Sequence, residues 1–350
     1  FEKALAIKPD YAEVNYNLGL TLQELGRLDD AVKSYEKAIA VQPDYAEAHN
    51  NLGVTLKELG QLDAAVEYYK KAIATQPDYA EAHNNLGLAF YELDQVDAAV
   101  ESYKKALAVD PDYAEVNYNL GLALQELEQL DTAVEYYKKA IATQPDYAEA
   151  HNNLGNAFLE LGQMDDAVKS YEKAIVTQPD YVEAHNNLGS IFMELGQMDD
   201  AVKSYEKALA LKPNYAETYN NLGIVYMELN QTDVALKCYK KALAIKPDNA
   251  KAHANRGDAM KRLNLLDEAL ASYKSAIALN PNLDYVFNDY LHTRMNLCIW
   301  DDLASNLNEL TSKVNNGEKA LNPFLALAVI DDPEIQRKAA EIYANEKYPQ

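Results

Sequence analysis

The sequence predicts an all-α protein, an α-solenoid of stacked antiparallel helix pairs with a helical cap at its C-terminal end. Three observations predict it. Proline recurs at Pro9, Pro43, Pro77, Pro111, Pro145, Pro179, Pro213, Pro247 and Pro281, one every 34 residues, and a fixed period of this length means stacked repeats. The stretch Asp44-Tyr45-Ala46-Glu47-Ala48-His49-Asn50-Asn51-Leu52-Gly53 returns in close copies at Asp78, Asp146 and Asp180. Each period also holds two stretches whose apolar residues follow helical spacing.

Eight complete repeats begin at Ala12, Ala46, Ala80, Ala114, Ala148, Val182, Ala216 and Ala250, after a partial repeat at 1–11. In the second repeat, Pro43 stops the preceding helix, because it lacks an N–H and clashes with the turn before it. Asp44 and Glu47 stand at capping-box spacing and predict a helix start there. That helix is expected to run to about Leu59, with Gly60 suited to its C-terminal cap. Asp63 is expected to cap a second helix over about Ala64–Ala74. Its counterparts are Asp29, Asp97, Asp131, Asp165, Asp199, Asp233 and Asp267.

The expected buried positions are Ala48, Leu52, Leu56 and Leu59 on the first helix and Ala65, Val66, Tyr69, Ala72 and Ile73 on the second. Gly53 has counterparts at Gly19, Gly87, Gly121, Gly155, Gly189, Gly223 and Gly257. Glycine inside a helix costs roughly 1 kcal/mol against alanine, so its recurrence implies close approach of the paired helix. Tyr69 and its equivalents, Tyr35 through Tyr273, are expected to fill the space between neighbouring repeats.

Leu-Gly in the first helix, Ala early in the second, an aromatic, a second Ala and a closing Pro together resemble the tetratricopeptide repeat. The fourth position, commonly tryptophan in that family, holds His, Asn or Tyr here. The resemblance implies a right-handed superhelix whose concave groove is lined by the first helices.

Glu47, Asn51, Val54 and Glu58 lie on one stripe of the first helix, opposite Leu52, Leu56 and Leu59, and are therefore expected to face the groove. The asparagine column is unbroken: Asn17, Asn51, Asn85, Asn119, Asn153, Asn187, Asn221 and Asn255. Each side chain offers a donor and an acceptor, and a row of them can bond the main chain of an extended peptide whatever its sequence. The alternative, that these amides orient the helix pair or bind water, stays open. Flanking columns are acidic, Glu13 through Glu217 above and Glu24 through Glu228 below, with Arg262 breaking the second.

The formal net charge is -23. Residues 282–350 hold 11 acids and 6 bases, or -5, which leaves -18 on the array. This excludes nucleic acid and anionic membrane as natural partners, since both need clustered Lys and Arg, and suits neutral or basic peptides. Two cysteines, Cys238 and Cys298, form neither a disulfide framework nor a zinc spacing and fit a reducing, cytoplasmic compartment. The longest apolar run, Phe324 to Ile330, is too short to span a bilayer. His49, His83, His151, His185 and His253 sit at least one repeat apart with no second ligand at helical spacing, so packing or hydrogen bonding is expected rather than metal. No catalytic, cofactor-binding or metal set is found, and a regular column of Glu reads as a surface rather than a general-acid site.

Residues 1–281 form the array and 282–350 the cap and connector. Leu283 to Ile299 reads as a further helix with Val286, Phe287, Tyr290, Leu291, Met295 and Leu297 as its apolar residues. Trp300-Asp301-Asp302 starts another to about Val314, and Asn315-Asn316-Gly317 breaks it. Asn322-Pro323-Phe324 precedes a short apolar stretch, and Asp331-Asp332-Pro333-Glu334 begins a last helix to about Asn345. The first of these is expected to cover the final face of the array, which solenoids require.

This tail, with His292, Cys298-Ile299-Trp300-Asp301-Asp302, Asn322-Pro323-Phe324-Leu325-Ala326-Leu327, Asp332-Pro333 and Arg337-Lys338-Ala339-Ala340, resembles the connector between repeats and catalytic region in O-linked N-acetylglucosamine transferases and their bacterial SPINDLY-like relatives. Ile299 departs from that family's Cys-Asp-Trp-like element, where Asp is usual. The resemblance implies a parent enzyme that uses a UDP-sugar donor to glycosylate Ser or Thr of proteins, with the repeats recruiting the substrate. The catalytic region would follow Gln350, so no nucleotide-sugar ligand or catalytic base falls on this sequence and the fragment itself is expected to be non-catalytic. Phe1 to Pro9 matches the end of a repeat, which also reads as a fragment. A stand-alone scaffold for complex assembly is the main alternative, and an array that forms a homodimer through its convex face is the third.

Overall fold

The computed structural model describes residues 11–348, and among them every regular element is a helix. The expected partial repeat at 1–11 lies outside the described residues apart from Tyr11. Contacts divide the chain into two units, with the boundary after Pro179. The first unit holds α1 (Ala12–Glu24), α2 (Leu28–Val41), α3 (Ala46–Glu58), α4 (Leu62–Thr75), α5 (Ala80–Glu92), α6 (Val96–Val109), α7 (Ala114–Glu126), α8 (Leu130–Thr143), α9 (Ala148–Glu160) and α10 (Met164–Thr177). The second holds α11 (Val182–Glu194), α12 (Met198–Leu211), α13 (Ala216–Glu228), α14 (Thr232–Ile245), α15 (Ala250–Arg262), α16 (Leu266–Leu279), α17 (Val286–Asn296), α18 (Leu303–Asn315), α19 (Pro323–Val329) and α20 (Pro333–Lys347). In each unit the repeats are α-solenoid helix pairs, and each pair packs on the next through its second helix.

The expected N-caps are not where the helices begin. Tyr45 is the N-cap of α3 and Gln61 that of α4, and neither side chain caps. Pro43 and Asp44 are consumed by the inter-repeat turn, in which the Tyr45 amide donates to the Gln42 carbonyl at 3.3 Å. Asp63 lies one residue inside α4, where it favours the helix through the dipole rather than through a cap bond. Among the described residues of the repeats, the one helix-cap bond made by a side chain is at Asn249 of α15, which accepts from the Ala252 amide. The C-terminal signals behave as expected: Gly60 follows α3 at φ +74°, the left-handed conformation that ends helices.

The glycine column makes room for a ring. A Cβ on Gly53 would lie 2.7 Å from Cε1 of Tyr69, and the same approach recurs at all eight repeat glycines. Each tyrosine therefore crosses the glycine of its own repeat rather than filling only the gap to a neighbour. Tyr35, Tyr69, Tyr103, Tyr137, Tyr171, Tyr205, Tyr239 and Tyr273 are the largest fully buried side chains, each contributing on the order of 2–3 kcal/mol by burial. Ala48, Leu52, Leu56, Ala65, Val66 and Ala72 are buried around them.

In the second unit, α17 to α20 build a separate core from Phe287, Leu291, Leu310, Val314, Leu321, Leu325, Ile330 and Ile335. The expected helix over Leu283–Ile299 is shorter, because Tyr285 and Cys298 take left-handed backbone at φ 57° and 55°. Arg294 is buried and donates to the Asp301 carbonyl, which ties down the Cys298–Asp302 turn. Trp300 and Phe324 stay outside the core, 52% and 84% exposed.

Candidate functional site

The first helix of each repeat turns one stripe away from the core. In α3, Glu47 and Glu58 are exposed and Asn51 and Val54 half-buried, while Leu52 and Leu56 on the other side are buried. All the asparagines Asn17, Asn51, Asn85, Asn153, Asn187, Asn221 and Asn255 are half-buried, and Asn119 is buried at 8% exposure. The Glu13-to-Glu217 and Glu24-to-Glu228 columns are exposed along both margins. In the eighth repeat Lys251 and Arg262 replace both acids.

The asparagine amides are not idle. In the first unit, Nδ2 of Asn51 donates to the Tyr16 hydroxyl at 2.8 Å, Asn85 to Oδ1 of Asn50 at 3.0 Å, Asn119 to Oδ1 of Asn84 at 3.2 Å, and Asn153 to the Tyr118 hydroxyl at 2.9 Å. In the second unit Asn255 donates to Oδ1 of Asn220 at 2.9 Å. Each bond joins an asparagine to the residue 35 positions earlier, one repeat down. Asn50 and Asn84 then donate to Glu81 and Glu115 of the following repeat, at 3.2 and 3.4 Å. One asparagine thus grips two residues four apart on the next helix, which fixes the angle between repeats. The side-chain oxygens of Asn85, Asn119 and Asn255 have no protein partner among the described residues and are open to solvent.

Sequence reasoning passed over the partners of this ladder, Tyr16, Asn50, Asn84, Tyr118 and Asn220, a column that holds Asn152 and Asn186 in the repeats between. A signal was present. Where this position holds Tyr, the residue before it is Asn (Asn15, Asn117); where it holds Asn, the residue before it is His or, once, Tyr219. The structure explains the preceding residue too. Nε2 of His49, His83, His151 and His253 donates to the carbonyls of Pro43, Pro77, Pro145 and Pro247 at 2.9–3.1 Å. Nδ2 of Asn117 does the same to Pro111 at 3.1 Å. These bonds tie each histidine to the turn before its helix, and among the described residues no three metal-binding side chains come together.

The tyrosines of the second helices reach the first helix of their own repeat with their hydroxyls. Tyr35 donates to Gln23 at 3.0 Å, Tyr137 to Gln125 at 2.8 Å, Tyr171 to Asn156 at 2.7 Å and Tyr273 to Asp258 at 2.6 Å. Dense surroundings push the Asp258 carboxyl up to about 6, against the Tyr273 bond, with Asp289 adding to the rise. Solvent reaches that carboxylate, which argues for a smaller shift than its depth alone would give. Below the stripe, Gln23 and Gln125 donate to Glu58 and Glu160 of the next repeat at 3.0 and 2.6 Å, and Lys57 pairs with Glu92 at 2.8 Å. Both cysteines are free thiols, and burial pushes that of Cys238 up to about 11.

Residues 88–128, 126–162, 155–196, 189–230 and 225–264 match a family model described as TPR repeat. Residues 10–77, 68–101 and 250–283 match models described as tetratricopeptide repeat. No curated protein gives a significant match to the sequence. Among solved structures, MamA is similar at 31% identity and TM-score 0.45, over 47% of this chain and 97% of that one. The Cut9–Hcn1 hetero-tetramer of the APC/C is similar at 17% identity and TM-score 0.56, over 76% of this chain and 52% of that one. PilF of Pseudomonas aeruginosa is similar at 20% identity and TM-score 0.53, over 59% of this chain and 94% of that one. The last two show the fold.

Proposed function

This chain belongs to the tetratricopeptide-repeat family, and from that premise we propose that it is a recognition module for extended protein segments, held along the inner stripe of its first helices. The observation that carries the reading is the side-chain oxygens left open on the stripe, at Asn85 and Asn119 in the first unit and Asn255 in the second. With each Nδ2 committed to the repeat below, Asn85, Asn119 and Asn255 offer Oδ1 outward, and a carbonyl oxygen accepts a main-chain N–H from any sequence. The exposed Glu columns add attraction for Lys and Arg beside the bound segment. A homodimer in place of a peptide complex would appear as a doubled mass in light scattering.

The test is selection of a displayed random-peptide library on the wild-type protein and on the Asn85→Ala, Asn119→Ala double variant. Enriched peptides that bind the variant about tenfold more weakly, with helicity retained by circular dichroism, support the groove. Unchanged affinity removes the column from the site.

The finer reading is that the module recruits substrates for a protein O-glycosyltransferase that uses a UDP-sugar, in a reducing, cytoplasmic compartment. Its support is the turn at Cys298–Asp302, held by the buried Arg294, followed by the exposed Phe324 after the Asn322 cap. A plain scaffold needs neither exposed aromatic. Sequencing the gene past the Gln350 codon tests it: a nucleotide-binding catalytic region supports the transferase, and its absence leaves the scaffold. The free thiols of both cysteines agree with the compartment.

A further inference from the structure

In the second unit the inner stripe does not end on open solvent. It runs into a cavity of about 530 Å³ between α15, α17 and α19. The 34-residue register carries over: Asp289 stands where Asn255 and Asn221 stand in the repeats before it, and Asn288 where Asn220 stands. Both line the cavity, so a chain lying on Asn221 and Asn255 is led into it.

The far wall is apolar, formed by Met295, Trp300, Phe324 and Leu325. Trp300 and Phe324 keep much of their surface in water, 52% and 84%, and, lining one cavity, they present their rings together rather than singly. The charged groups at the rim are already matched, Lys261 to Asp289 at 3.0 Å. Burial, and after it Lys261, holds the His292 imidazole below its usual range, so at neutral pH it is uncharged. The approach is acidic over the sixth and seventh repeats, where Glu183, Glu194, Glu217 and Glu228 are exposed along the stripe's margins, and turns basic only in the eighth, at Lys251 and Arg262.

We propose that this cavity is the anchor pocket of the groove, and that its occupant is one large apolar side chain of an extended, basic peptide whose Lys and Arg residues lie over the Glu margins. The proposal rests on the groove reading above and adds the class of peptide. Apolar walls with a neutralised rim select the anchor, and charge complementarity selects its neighbours.

The experiment selects a displayed random-peptide library on the full chain and compares wild type with Ala328→Trp, which fills the cavity from an exposed position. A second variant, Phe324→Ser, removes an exposed wall residue, and circular dichroism confirms that both stay folded. The expected result is enrichment of basic peptides with one large apolar residue at a fixed place. Changing that residue to Ala weakens binding to wild type about tenfold or more, and to Ala328→Trp less than about twofold. Trp300 is the only tryptophan, so its emission in the wild-type protein shifts to the blue as the anchor enters. Basic peptides bound equally with or without the apolar residue overturn the anchor and leave the groove standing. No enrichment overturns both. A dimer of the free protein that Ala328→Trp dissociates assigns the cavity to a second copy and overturns the peptide proposal.

Discussion

At Gly121 a Cβ would lie 2.7 Å from Cε1 of Tyr137, closer than any real carbon contact. Two effects then oppose each other when Gly121 becomes alanine. The helix gains roughly 1 kcal/mol of propensity, and the ring is forced off its seat at a cost of about 1–3 kcal/mol. Overpacking is expected to win, because Tyr137 is fully buried, its hydroxyl is committed to Gln125 at 2.8 Å, and it has nowhere to move. Gly121→Ala should therefore lower the melting temperature. In a Tyr137→Leu background the ring is gone and the sign should reverse, with Gly121→Ala stabilising. Thermal melts of the four proteins in this double-mutant cycle check it, and additive effects would refute the coupling. The glycine column was legible in the sequence as a close approach. That the approaching group is a tyrosine of the same repeat was not, because the two residues are 16 apart and only the packed hairpin brings them together.

Helix ends divide between what local chemistry decides and what the stack decides. The left-handed residue after each first helix is local: Gly26, Gly60, Gly162 and Gly196 take it in four repeats, and Asp94, Glu128, Asn230 and Asn264 in the other four. A non-glycine residue there pays roughly 1–2 kcal/mol for the clash of its Cβ, least for Asn and Asp. Glu128, at φ 58° with no short side chain to bond locally, is the weakest of these caps. Glu128→Gly should stabilise the first unit by about 1 kcal/mol, somewhat offset by the freer unfolded chain, and chemical denaturation would measure it; a loss of stability would contradict the cap argument. The starts of the helices were misread for the complementary reason. Asp44 and Glu47 have the spacing of a capping box, but the inter-repeat turn takes Pro43 and Asp44 and hands the cap position to Tyr45. Turn geometry between stacked repeats overrode a local signal. The same holds for the asparagine ladder, whose partners lie one repeat away and appear only when the helices are packed.

For the whole molecule, charge acts on folding and on binding in opposite directions. A net charge of -23 means that acids repel one another across the exposed Glu columns, and few are neutralised by neighbours: among the described residues, most ion pairs join side chains only three or four positions apart on the surface, such as Lys70–Glu67 and Lys203–Asp200, each contributing about 0–1 kcal/mol. Salt shortens the reach of this repulsion from about 30 Å at 0.01 M to about 8 Å at 0.15 M. The folded protein should therefore melt at a higher temperature as sodium chloride is raised over that range. The same screening weakens attraction between the Glu margins and a basic peptide, so peptide affinity should fall as stability rises. Calorimetric melting and titration in one salt series read both quantities on one sample. Affinity that stays flat while the melting temperature climbs would place the bound segment away from the Glu columns and leave the asparagine oxygens as its contact. Affinity and stability that fall together would mean that attractive ion pairs outweigh the repulsion, which is the opposite of what the sequence composition and the exposed pairs imply.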